Sequence, residues 1–133
     1  MIVLANGCFD PLHYGHVLHL RAAKEMGDTL VVSVTCDKAV TREKGSSRPV
    51  LDELKRAEFL RELRIVDEVI IVPGVQYALR LILPDVFVKG PDYSLKTIDD
   101  ETRRICEERG IEIRFTKGPK WSSTELLNEL YRS

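Results

Sequence analysis

Two histidines three residues apart, His13 and His16, with Gly15 just before the second, are the residues in this chain best placed to handle a phosphate. They close the stretch Asn6-Gly7-Cys8-Phe9-Asp10-Pro11-Leu12-His13-Tyr14-Gly15-His16, which follows a short apolar run, Ile2 to Ala5, and leads into a helix-like segment. Imidazoles and free backbone N–H groups gathered where a helix begins make a seat for phosphate, and Gly15 leaves the backbone open to approach. Such a seat suits movement of a nucleotidyl group. An isolated H-x-G-H match is a structural accident in most soluble proteins; the strand, the Asn-Gly turn and the Phe-Asp pair ahead of it turn the reading toward chemistry. His19, three residues further on, is expected on the helix surface without a role.

Alternating apolar and amphipathic segments supply the scaffold for these residues. Ile2 to Ala5, Leu30 to Val34, Val69 to Val72, Val86 to Val88 and Ile111 to Phe115 are rich in β-branched residues and read as strands. Helices are expected from Gly15 to Met26, closed by Gly27, and from about Asp52 through Leu54, Ala57, Leu60 and Leu63. Two more run from Val75 to Leu83, ahead of Pro84, and from Ile98 to Arg109, ended by Gly110. Ser122 and Glu125 form an S-x-x-E capping box before Leu126, Leu127 and Leu130, so a last helix should follow.

Nearly all-apolar strands alternating with helices imply an α/β fold, a single doubly wound, Rossmann-like parallel five-stranded sheet with helices on both faces. Ligands of such a sheet bind outside the carboxyl ends of the strands at the switch point, where the loops after the first and fourth strands meet. The charged, Gly- and Ser-containing stretch from Thr41 to Arg48 reads as a mobile loop over that place.

With 133 residues, positions 1–133 fit one domain. Lys and Arg number 20 against 21 Asp and Glu, so a net charge of −1 gives no general attraction to nucleic acid or to an anionic membrane, and neither is an expected partner. A phosphate ligand must therefore be held locally. Cys8, Cys36 and Cys106 are scattered and show no C-x-x-C spacing, which suggests neither a disulfide framework nor a metal site and fits a reducing cytoplasm. No basic leader and no apolar stretch of membrane-spanning length stands out, so a signal peptide or anchor is not expected.

Gly7-Cys8-Phe9-Asp10 followed by His13-Tyr14-Gly15-His16 resembles the signature of the nucleotidylyltransferase superfamily that carries an H-x-G-H motif. Arg64-Ile65-Val66-Asp67-Glu68-Val69-Ile70 is similar to the R-Y-V-D-E-V-I signature of glycerol-3-phosphate cytidylyltransferases, with Ile65 in place of Tyr. Lys44-Gly45-Ser46-Ser47-Arg48-Pro49-Val50 and the run from Leu83 to Tyr93 resemble the adenylyltransferase domain of ADP-heptose synthases instead. Ser122-Ser123-Thr124 resembles a Ser-Thr-Thr helix start that both groups possess.

The resemblance implies an enzyme in which a phosphate oxygen of a small phosphorylated acceptor attacks the α-phosphorus of a nucleoside triphosphate and expels pyrophosphate. ATP with a sugar 1-phosphate such as heptose 1-phosphate is the favoured pair, and CTP with a polyol phosphate is the alternative. His13 and His16 would bond the phosphates and Lys44 would close on them, with Lys38 and Arg42 as other candidates for that cation. Gly7, Cys8, Phe9, Asp10, Gly15, Lys89, Gly90, Asp92, Ser122, Ser123 and Thr124 would border the nucleotide. Asp92 suits an Asx turn equally well, and one of the 122–124 hydroxyls suits a cap.

Arg64 and Lys117 would meet the acceptor. Lys117 stands where the cytidylyltransferases have an arginine and keeps the charge without the bidentate fork. Mg²⁺ is expected to bridge the triphosphate with few protein ligands and no dedicated metal site. The resemblance also implies a homodimer, with Arg64 to Val69 as a contact. A non-catalytic nucleotide-binding module is the alternative from another class, weakened by the presence of both histidines and a lysine for the phosphates.

Overall fold

The computed structural model describes residues 1–91 and 93–117. The strands β1 (Ile2–Gly7), β2 (Thr29–Thr35), β3 (Glu68–Val72), β4 (Val86–Lys89) and β5 (Glu112–Phe115) pair in parallel in the order β3-β2-β1-β4-β5. The helices among these residues are α1 (Tyr14–Lys24), α2 (Asp37–Lys44), α3 (Glu53–Arg61), α4 (Val75–Ile82) and α5 (Asp100–Arg109). The doubly wound reading holds. Asp92 and the expected closing helix with Ser122, Ser123 and Thr124 lie outside the described residues.

Alternation along the strands explains why apolar residues are needed at nearly every position. On β1, Val3 and Ala5 pack on one face beside Leu30, Val32 and Val34 of β2, while Leu4 and Val31 turn to the other. The first face is covered by Leu20 and Ala23 of α1 and by Ala57 and Leu60 of α3. The second takes Ala78 and Leu79 of α4 with Ile105 and Cys106 of α5. A parallel sheet sealed on both sides leaves only the ends of its strands for a ligand.

Helix ends follow local chemistry. Asp52 caps α3 by accepting from the Lys55 N–H at 2.9 Å, and Asp99 caps α5 by accepting from the Thr102 N–H at 3.2 Å. Capping by Asp99 starts α5 at Asp100, two residues after the expected Ile98, and Ile98 is buried instead. Gly110, at φ 68°, closes that helix in the left-handed region.

Gly27 answers to a different constraint, because a Cβ there would lie 2.6 Å from the Met1 carbonyl oxygen and 2.8 Å from Val3 Cγ2. That oxygen is held in place by the Asp28 and Thr29 N–H groups at 2.9 and 3.2 Å. Gly27→Ala should therefore lose about 1–3 kcal/mol, the usual cost of overpacking. Urea unfolding reads it as a lower midpoint at constant slope; an unshifted midpoint would mean the corner yields freely.

The stretch from Thr41 to Arg48 departs from the expected mobile loop. Thr41 to Lys44 is the last turn of α2, and beyond Gly45, at φ 103°, the chain is tied down where the Arg48 guanidinium meets buried Asp10. Helix α2 draws little from its own sequence, since Cys36 offers no side-chain cap and Ala39 and Val40 are its buried residues. Its first turn is held from outside: the Glu53 carboxylate accepts from the Asp37 N–H at 2.9 Å, and Arg56 of α3 donates to Asp37 Oδ1 at 2.7 Å.

Candidate active site

The chain leaves β1 for β2 on one side and returns through β3 to β4 on the other, so β1 and β4 part their connections at their carboxyl ends. A cavity of about 480 Å³ opens there. Its floor is Asn6 and Gly7 of β1, Thr35 of β2 and Lys89 of β4, and its walls include Cys8, Phe9, His13, Gly15 and His16. Gly90, Pro91 and Tyr93 border it after β4, Gly74 and Val75 at the start of α4, and Glu43 and Lys44 at the end of α2.

The turn that delivers the histidines is tightly specified. Phe9 takes a left-handed backbone, φ 51°, which costs a non-glycine residue but brings its buried ring edge-on to His16 with centroids 4.9 Å apart. A Cβ on Gly7 would crowd that ring at 3.0 Å. His13 and His16 then stack with ring centroids 3.8 Å apart, and His16 Nδ1 accepts the His13 backbone N–H at 3.1 Å. An acceptor at Nδ1 carries no proton, so the neutral ring bears its proton on Nε2 as a donor.

Burial, reinforced by the neighbouring His13, His19 and Lys44, holds the His16 pKa down at about 3, and burial lowers that of His13 too. These imidazoles act as neutral dipoles near pH 7. Positive charge comes from the lysines. Lys44 ends α2 at the cavity edge. Lys89 Nζ stands 4.0 Å from the Tyr93 ring centroid, and burial holds its pKa below the usual lysine range, partly offset by Asp99 and Glu43.

Two buried ionic groups beneath the cavity fix its walls. Burial alone would raise the Asp10 pKa, but the Leu51 N–H, Arg48 and the Val50 N–H outweigh it and leave the carboxyl below its usual range. Asp10 thus joins the first loop to residues 48–51 rather than lining the cavity. Arg56, 1% exposed, donates to the backbone oxygens of Cys8 at 2.8 Å, Thr35 at 2.7 Å and Leu51 at 2.9 Å. One guanidinium therefore ties the ends of β1 and β2 to α3.

Not every expected site residue reaches the cavity. Arg64 precedes β3 and is exposed at the amino ends of the strands, so the parallel sheet itself keeps it from the opposite edge. Lys117 is exposed just past β5, outside the cavity lining given by the described residues. The sequence reading missed Glu43, Tyr93, Thr35 and above all His19, which is half-buried in the cavity wall with Nδ1 2.7 Å from Thr116 Oγ1. Its spacing of three from His16 puts it on the same stripe of α1, and that signal was available.

Compared with known families, residues 4–129 match the cytidylyltransferase-like family. The chain belongs to that family. Membership makes it a nucleotidyltransferase. The bifunctional protein HldE of Geobacter metallireducens is 48% identical over 138 residues and that of Nitratiruptor sp. 40% over 134, each covering 99% of this chain. The chain spans only 27% and 28% of the length of those relatives.

Among solved structures, the lipopolysaccharide core biosynthesis protein from Thermoplasma volcanium matches with a TM-score of 0.73 and 30% identity, over 92% of this chain and 98% of that one. Pantothenate synthetase from Thermus thermophilus, at a TM-score of 0.64 and 15% identity over 90% of this chain and 56% of that one, shares the fold alone.

The neutral imidazoles of this cytidylyltransferase-like domain carry a stability consequence. Burial holds His16 at about 3 and His19 at about 4, against 6.5 for a free histidine. Below pH 6.5 the unfolded chain takes up protons that the native state refuses, so stability is whole above that pH and falls as the pH drops toward 4. The urea midpoint should decline between pH 7 and pH 5, above the range where the carboxylates titrate. The double variant His16→Asn/His19→Asn should flatten that slope, and a wild-type midpoint that stays level would contradict the burial argument.

Proposed function

We propose that the domain transfers the adenylyl group of ATP to a small phosphorylated acceptor, a sugar 1-phosphate, with release of pyrophosphate. The observation that carries this reading is the neutral His13–His16 pair at the start of α1, opening on a cavity whose cations are Lys44 and Lys89. An acceptor phosphate oxygen forms a bond to the α-phosphorus as the bond to the β-phosphate oxygen breaks in line. No protein nucleophile takes part. The chain supplies position, the His16 Nε2 proton donor, the start of α1 and the two lysines.

Mg²⁺ enters as part of the triphosphate substrate in this reading, since it keeps water and phosphate oxygens about it. The preference for ATP and a sugar phosphate rests on the Lys44–Val50 and Leu83–Tyr93 stretches and on HldE relatives 36–48% identical. The Arg64–Ile70 likeness to cytidylyltransferases weighs less, because Ile65 and Val66 pack against the core at the end of the sheet away from the cavity.

The reading includes a cytoplasmic setting; among the described residues no helix is long and apolar enough to cross a membrane. It also includes a homodimer. With Ile65 and Val66 turned inward, a contact near 64–69 would fall to exposed Arg64, Asp67 and Glu68, and a light-scattering mass of one chain would remove it.

Pyrophosphate release with Mg²⁺ tests the whole, comparing ATP and CTP against heptose 1-phosphate, other sugar 1-phosphates and glycerol 3-phosphate. Turnover with ATP and a sugar 1-phosphate is the expected result. Turnover confined to CTP and glycerol 3-phosphate would replace it.

A further inference from the structure

Three imidazoles line this cavity, and the third has its own geometry. His19 lies three residues beyond His16, about 4.5 Å further along the axis of α1 and away from the helix start where phosphates gather. Its Nδ1 is occupied by Thr116 Oγ1 at 2.7 Å, at the carboxyl end of β5 beside β4, and the ring sits close enough to Lys89 to be depressed by its charge. Among the described residues Nε2 has no hydrogen-bond partner, although the ring forms part of the cavity wall.

A neutral imidazole locked at one nitrogen offers one directional hydrogen bond at the other. His16 offers the same kind of bond from the first turn of α1; His19 offers it one turn further on, away from that phosphate seat, where an uncharged polar partner suits it. Lys89, whose charge reaches the His19 ring, holds its ammonium 4.0 Å from the ring centroid of Tyr93, and that partly exposed ring borders the same cavity and offers a flat surface to a base.

We propose that His19 Nε2 hydrogen-bonds the nucleoside part of the bound triphosphate, a ribose hydroxyl or a base edge, and is a specificity-determining residue of this chain. Thr116 is then a positioning residue, fixing the ring through Nδ1. The proposal needs a nucleoside triphosphate in the site and does not depend on which phosphorylated acceptor is used.

Equilibrium binding tests it, with Mg²⁺ and three probes: ATP, CTP and inorganic tripolyphosphate, which has the phosphates without the nucleoside. His19→Asn keeps an amide near the place of Nδ1 for Thr116 and removes Nε2, while His19→Phe removes both nitrogens; thermal melts check that each variant folds. Both should weaken the tighter-bound nucleotide about tenfold, the scale of one hydrogen bond, and leave tripolyphosphate unchanged. Unchanged nucleotide binding in His19→Asn would overturn the proposal, as would an equal loss for tripolyphosphate, which would place the ring on the phosphates. Failure of the ATP and sugar phosphate reading would appear separately, in the turnover panel.

Discussion

Replacing His16 by alanine lowers the rate of pyrophosphate release by about 10²–10³-fold, the scale for one donor aimed at developing charge. The size follows from a fixed ring: Nδ1 is held by the His13 N–H at 3.1 Å, Phe9 stands edge-on to the ring and the His13 ring stacks on it. Nε2 is thus prepaid in orientation. Because the ring is already neutral near pH 7, the wild-type rate should stay level from about pH 8 to 6 rather than show the limb of a titrating histidine. Single-turnover rates on whichever substrate pair is active check both points. A loss under about tenfold, or a limb near pH 6.5 that vanishes in the variant, would reject the neutral-donor role.

Arg56→Met lowers stability by about 3–5 kcal/mol, as expected when a buried hydrogen-bonded charge is removed and its partners stay behind. The partners are the backbone oxygens of Cys8, Thr35 and Leu51, together with the half-exposed Asp37 carboxylate, which water can reach. The cost therefore falls on the carbonyls, at about 1–3 kcal/mol for each one left unsatisfied. Urea unfolding monitored by circular dichroism measures it, and a change under about 1 kcal/mol would show that water replaces the guanidinium. Since Cys8 and Thr35 line the cavity, a folded Arg56→Met chain should also bind nucleotide more weakly.

Most of the fold was legible because strand and helix signals here are strong and local. β2 was expected from Leu30 to Val34 and runs one residue further at each end, and Pro84 and Gly110 stop α4 and α5 as their chemistry requires. Helix α2 was not legible, because the groups that hold its first turn, Glu53 and Arg56, arrive from another helix. The same kind of distance hid the task of Asp10, whose partners Arg48, Val50 and Leu51 lie about forty residues away in sequence. Arg64 misled for the opposite reason: likeness in sequence carried no sign of which end of the sheet it would occupy.

The uncharged state of the histidine pair bears on how the reaction ends. A site built from many fixed cations would attract triphosphate, transition state and pyrophosphate alike, and would surrender the last of these slowly. Directional dipoles such as His16 Nε2–H favour the geometry in which the α–β bridge is breaking over either stable end of the path. Release of product therefore limits turnover less in such a site than among fixed cations alone.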